Sequence, residues 1–196
     1  MRFVLLFPLV CFFSCSPPME VPDAGNSGCL DTSKSPANVV ENPHFECEST
    51  TAQWRAIAGT LEFVEGGRSG KAAKITMKDA LGAKLAYSKP IAENGGMKNF
   101  CVTAWISGDA PFMKTQLVQT GGNMQRIEQA DQLFSDFRKT PLGSPILVPN
   151  GNATRLELVF MVQTGRSDGQ NAQVGQSMLI DDVDVWETTG NCTETR

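Results

Sequence analysis

The sequence predicts an all-β protein built as a two-sheet sandwich, and three observations carry that prediction. Short stretches alternate apolar with polar residues. Clusters such as "TGGN", "PNGNA" and "SDGQNA" separate them as turns. No internal repeat interrupts the pattern, and the part of the chain beyond the leader and tether, about 150 residues, suits a single core.

The strands are read in chain order. "TLEFVE" and "KAAKITMK" alternate, and so does "NFCVTAWIS", which sets Phe100, Val102, Ala104 and Ile106 against Cys101, Thr103, Trp105 and Ser107. "MKTQLVQT", "RLELVFMV" and "SMLIDDVDVW" complete the set. One stretch departs from it. "NMQRIEQADQLFSDFRK" spaces Met124, Ile127, Ala130, Phe134 and Phe137 at intervals near three and four, which predicts a short helix around 124–137.

The last strand poses a question, because "LIDDVDVWET" carries three aspartates among apolar residues. Strict alternation puts Leu179, Asp181, Val183 and Val185 on one face and Ile180, Asp182, Asp184 and Trp186 on the other. A buried carboxylate costs several kcal/mol unless compensated. These acids therefore face water, pair with a cation or bind a metal.

The chain opens with Arg2 and the apolar run "FVLLFPLVCFF", too short to span a bilayer, so residues 1–14 are expected to be a signal peptide. "FFSC" places a small residue before Cys15, the expected lipidation site of a bacterial lipoprotein. Ser16 is compatible with sorting to the outer membrane of a Gram-negative cell; ordinary secretion is the alternative. Residues 15–38 are rich in Pro, Ser, Gly, Asn and Asp and read as a tether, leaving 39–193 as the domain. Beyond the leader no apolar run reaches membrane-spanning length, so contact with a membrane is expected through the lipid alone.

Cys29, Cys47, Cys101 and Cys192 remain after the leader, an even number that argues for two disulfides with the pairing open. No C-x-x-C spacing suggests zinc or redox chemistry. A net charge of −4 without a basic patch argues against nucleic acid. Enzymatic readings find little support. The single histidine, His44, has no partnered nucleophile motif, and "GGRSGKA" fails the phosphate-loop pattern at Glu65 and Ala72. No catalytic residue is assigned.

"ENPHFEC", Trp54, "GRSGKAAKIT", "FCVTAWISG" and "IDDVDVWE" occur in that order across the domain. In this the chain resembles the β-jelly-roll carbohydrate-binding modules of families 4 and 9, within the galactose-binding-like superfamily. It departs from them at His44, where the family usually has Gly. The resemblance implies a jelly roll whose two chain ends meet, which would bring Cys29 to Cys192 and Cys47 to Cys101. It also implies a structural calcium between first and last strands, held by Glu46 and Asp182 with turn carbonyls near 66–70. The alternative is that these acids are solvated or pair with Lys71 or Lys74. Trp54 is expected to plug the core, as in relatives.

If Phe100, Val102, Ala104 and Ile106 face the core, Trp105 points outward, where an indole is a platform for a sugar ring. Thr103, Gln116, Glu157 and Gln163 would offer hydrogen bonds around it if their strands share its sheet, and Tyr87 is a second aromatic candidate. The expected function is a non-catalytic, lipid-anchored module that binds carbohydrate. The alternative is a structural or adhesion module that binds another cell-surface protein.

Overall fold

A computed structural model describes residues 38–47, 54–68, 70–90, 99–120, 125–142, 155–164, 168–188 and 192. The strands are β1 (Trp54–Ala58), β2 (Thr60–Gly67), β3 (Gly70–Thr76), β4 (Ala83–Pro90), β5 (Asn99–Gly108), β6 (Phe112–Thr120), β7 (Gln125–Gln132), β8 (Arg138–Leu142), β9 (Arg155–Val162) and β10 (Ser177–Thr188). They form two five-stranded antiparallel sheets. Sheet A runs β1-β4-β9-β6-β7 and sheet B runs β2-β3-β10-β5-β8. This is a jelly-roll sandwich, and no helix occurs among the described residues.

Each sheet turns one set of alternating side chains inward. Leu85 and Tyr87 from β4, Leu158 and Phe160 from β9, and Met113 and Leu117 from β6 meet Ile75 from β3, Val102, Ala104 and Ile106 from β5 and Met178 and Ile180 from β10. The core has an aromatic centre. Trp54 lies 5.0 Å from both the Phe45 and the Tyr87 rings, and its Nε1 donates to the Glu41 carbonyl at 2.8 Å. Between β1 and β2 the chain changes sheets at Gly59, with φ of 77°. A Cβ there would lie 2.9 Å from the Ala83 Cβ, so only glycine suits the crossing.

The head of the domain lies along its tail. β3 pairs only with the first part of β10, from Ser177 to Ile180. Beyond that point residues 38–43 take its place: Val39 N–H donates to the Val185 carbonyl at 2.7 Å and Val183 N–H to the Pro43 carbonyl at 3.0 Å. The Asn38 side chain closes the seam, donating to the Val183 carbonyl at 2.8 Å and accepting the Val185 N–H at 2.9 Å.

Three expectations are corrected. The stretch expected to be helical around 124–137 contains β7, paired with β6 from Gln119↔Gln125 to Phe112↔Gln132, and then a turn into β8. A chain leaving β6 gains a full ladder by folding back on it, which outweighs a weak three-four spacing.

Strict alternation fails in β10. Between the pairs Asp181↔Trp105 and Asp184↔Thr103, β10 holds one residue more than β5. This β-bulge reverses the faces, so Val183 and Val185 join Met178 and Ile180 in the core.

The disulfide pairing also differs, because Cys192 bonds Cys101, with Cα atoms 5.6 Å apart. Trp186 stands opposite Cys101 and Thr188 opposite Asn99, so the chain leaving β10 passes the start of β5. Residues 38–43 lie on the other side of β10, which keeps Cys47 away from Cys101. Cys47 is itself disulfide-bonded, its partner lying outside the described residues, as Cys29 does.

Non-reducing peptide mapping should therefore recover Cys101 linked to Cys192. Replacing both by serine should lower stability by about 4–5 kcal/mol on chain-entropy grounds, measured by urea unfolding. A Cys47–Cys101 peptide would contradict the fold's register.

Candidate functional site

The β10 bulge gathers the charged groups. Asp181 is 0% exposed, and its carboxylate accepts the backbone N–H of Arg68 at 2.7 Å and of Asp182 at 2.7 Å. Asp182, with φ of 46°, receives His44 Nδ1 at 2.6 Å on one oxygen and Arg68 Nη1 at 2.5 Å on the other. Glu46 accepts the Lys71 backbone N–H at 2.9 Å.

Two glycines make room for these carboxylates. A Cβ at Gly67 would come within 2.7 Å of Asp181 Oδ2, and one at Gly70 would collide with Glu46 Oε1. Neither position tolerates a side chain without displacing an acid.

The expected pair thus meets the β2–β3 connection on both sides, Asp182 at Arg68 and Glu46 at Lys71. The titratable group whose ligand atoms converge within 4.8 Å, however, is His44, Asp181 and Asp182. Glu46, Asp181 and Asp182 carry the hard oxygen donors that suit calcium, and Gly67 and Gly70 leave room for Asp181 and Glu46 respectively. Arg68 and His44 each occupy one oxygen of Asp182. Lys71 meets Glu46 through its backbone, and Lys74 forms no ion pair among the described residues. Sequence reasoning missed the roles of Arg68 and His44. The available signal was a histidine at a glycine position and an arginine in the turn facing the acids.

The candidate ligand residues divide among three environments. Tyr87 is 1% exposed and belongs to the core. Its hydroxyl donates to the Val39 carbonyl at 3.0 Å and accepts the Glu41 N–H at 3.2 Å, and burial pushes its phenol far above the usual range. It therefore offers no surface for a sugar, because β4's alternation turns it inward opposite Trp54.

Trp105 does face away from the core, on sheet B, but the Arg68 guanidinium lies 4.0 Å above its ring. Thr103 shares that sheet, whereas Gln116 and Glu157 belong to sheet A. The expected single cluster is thus split across opposite faces of the sandwich.

Sheet A brings Gln116 and Glu157 together. Arg55, Ala86, Val159, Gln116 and Glu128 form one row across β1, β4, β9, β6 and β7, with Ser88, Glu157 and Val118 in the next. Gln116 donates to Glu128 at 3.0 Å, and Arg55 reaches Glu157 at 3.5 Å. Val159 and Gln116 are only 6% and 8% exposed although they face away from the core. Gln163 comes immediately after β9; its side-chain oxygen is buried without a hydrogen-bond partner.

No family model matches the sequence, and no curated protein matches it. Solved structures share the fold. One is the enzymatically active domain of bacteriophage CBA120 tailspike protein 4, at 19% identity and a TM-score of 0.54; the likeness covers 78% of this chain but only 22% of that one. A family 61 carbohydrate-binding module in complex with β-1,4-galactotriose gives 18% identity and a TM-score of 0.52, covering 77% of this chain and 99% of that one. The CBM22-2 xylan-binding domain of Paenibacillus barcinonensis Xyn10C gives 16% identity and 0.53, covering 74% and 98%. The two-sheet architecture is shared with these carbohydrate-binding modules and with the tailspike domain.

This geometry can be checked in two ways. Asp181→Asn should destabilise the chain by about 1–3 kcal/mol, read by denaturant unfolding, because an amide cannot accept both N–H bonds without turning a donor toward one of them. Tyr87 is the only tyrosine, so near-ultraviolet difference absorbance should show no phenolate near the ordinary pKa of 10.0 until the protein unfolds. A phenol whose pKa is raised by folding supports the fold below its unfolded value. Above it the unfolded chain ionises first, so stability should fall as pH rises past that value.

Proposed function

We propose that this chain is a non-catalytic carbohydrate-binding module of the family 4/9 type, carried on a Gram-negative outer membrane by a lipid on Cys15. The observation that supports it best is the outer face of sheet A. There Arg55, Gln116, Glu128 and Glu157 stand around Ala86 and Val159, which are themselves closed to solvent. Sugar hydroxyls both donate and accept, and a face that carries guanidinium, amide and carboxylate groups complements them. Likeness in fold to modules whose structures were solved with or for glycans supports the same reading.

Calcium is proposed at Glu46 and Asp182, with Asp181 behind them. It would supply a fixed positive charge between the head of the domain and β10, taking over from Arg68 and His44 the neutralisation of Asp182.

A second reading, docking to another cell-surface protein, rests on one observation. Leu81 and Val174 are 75% and 63% exposed. Their loops are tied together by the Gly175 N–H to Met77 carbonyl bond of 2.8 Å.

On affinity gels containing galactan or xylan, the disulfide-intact chain should be retarded. Gln116→Ala combined with Glu157→Ala should abolish retardation while the protein still unfolds in one cooperative transition. Unchanged retardation would reject this face. After EDTA treatment, calcium at a hundredfold excess over its Kd should add about 2.7 kcal/mol of stability. Asp182→Ala should remove that gain, and an unchanged melting temperature on calcium addition would reject the metal.

A further inference from the structure

The outer face of sheet B holds a groove of about 710 Å³, separate from the Gln116–Glu157 row and from the acids at the β10 bulge. We propose that it is a second glycan site, selective for neutral sugars, on the face of the sandwich opposite the Gln116–Glu157 row. This rests on the carbohydrate-binding reading and extends it from one site to two.

Its floor is built in register. Ser107 of β5 stands opposite Leu179 of β10, which stands opposite Lys74 of β3. Asp136 and Phe137, from the turn before β8, line one side, and Glu65 at the end of β2 lines another. One further lining carboxylate is already engaged: Asp109 accepts the Ser177 N–H at 2.6 Å and its hydroxyl at 3.3 Å.

The remaining charges are not engaged. The side chains of Lys74, Glu65 and Asp136 make no hydrogen bond or ion pair among the described residues, although Glu62 stands directly opposite Lys74 in the ladder. A half-buried lysine on the floor, unpaired with the carboxylate across the strand, offers a donor between the acceptors that Glu65 and Asp136 place at the sides.

The ligand class is set by this balance. Two free carboxylates against one ammonium repel an anionic glycan. Leu179 and Phe137 offer apolar surface to the C–H face of a pyranose, while Lys74, Ser107 and Asp136 address its hydroxyls. A neutral pyranose unit presents that combination. With a site on each face, one molecule would bridge two polysaccharide strands, gaining avidity without any new contact.

The test uses the full disulfide-intact chain on an array of neutral, amino, sulfated and uronate glycans, and then calorimetry with the best neutral oligosaccharide. Wild type should bind two equivalents. Lys74→Met with Asp136→Asn, and separately Gln116→Ala with Glu157→Ala, should each leave one, and the fourfold variant none. All four proteins should melt in one cooperative transition above the assay temperature.

If the Lys74/Asp136 pair binds like wild type, the second site is overturned while the proposed function stands. If that pair abolishes all binding, the groove is the sole site; the sheet A face and the two-site proposal then fail together. If only uronates or sulfated glycans depend on Lys74, the neutral class is overturned. If nothing on the array binds, both readings fall.

Discussion

The buried carboxylate of Asp181 is the constraint on which the rest of the molecule depends. It is fully enclosed, and it survives there because two backbone N–H groups, from Arg68 and Asp182, point at it. Those bonds hold the extra residue that makes β10 bulge. The bulge reverses the strand's faces, and the reversal puts Val183 and Val185 into the core. Without it the second half of β10 would turn Asp184 and Trp186 inward and leave two valines in water.

The same irregularity determines how the domain closes. β3 stops pairing with β10 where the bulge begins, and residues 38–43 take over the vacated edge. Asn38 bonds two peptide groups of β10 at once, which holds the head of the domain in one register against its tail. Phe45, just beyond this segment, packs against Trp54 and Phe63, so the seam is anchored in the aromatic centre. Asp182, next to the buried acid, is left with His44 and Arg68, and Arg68 in turn covers Trp105. A structural device and a candidate ligand platform are thereby mechanically adjacent.

Aromatic side chains work mainly inside this fold. Trp54, Tyr87, Phe45 and Phe160 form the centre of the core, and the described parts of both outer faces are rich in amides, carboxylates and cations. A ligand held on such faces would rest on hydrogen bonding more than on ring stacking, which favours molecules dense in hydroxyls over flat or greasy ones. Sheet A and sheet B differ in kind as well. The first offers an interlinked row in which Gln116 and Glu128, and Arg55 and Glu157, already pair; the second offers free charges in a groove.

Alternation in "KAAKITMK", "NFCVTAWIS" and "RLELVFMV" was enough to point to the sandwich, and in β5 it separated Phe100, Val102, Ala104 and Ile106 from the outward Trp105, because a strand's two faces are written directly into every second residue. Trp54 in the core was legible through resemblance to relatives. Other features were not local. The β7–β8 stretch had a weak helical spacing that only the neighbouring β6 could override. The bulge needed the count of residues on a partner strand. The Cys101–Cys192 bond depended on which side of β10 each chain end runs. Whether Trp105 and Gln116 share a face was decided by sheet membership. A sequence states the preference of each residue for inside or outside, but which strands become neighbours is settled by how one core is filled, and the candidate sites are built from those neighbours.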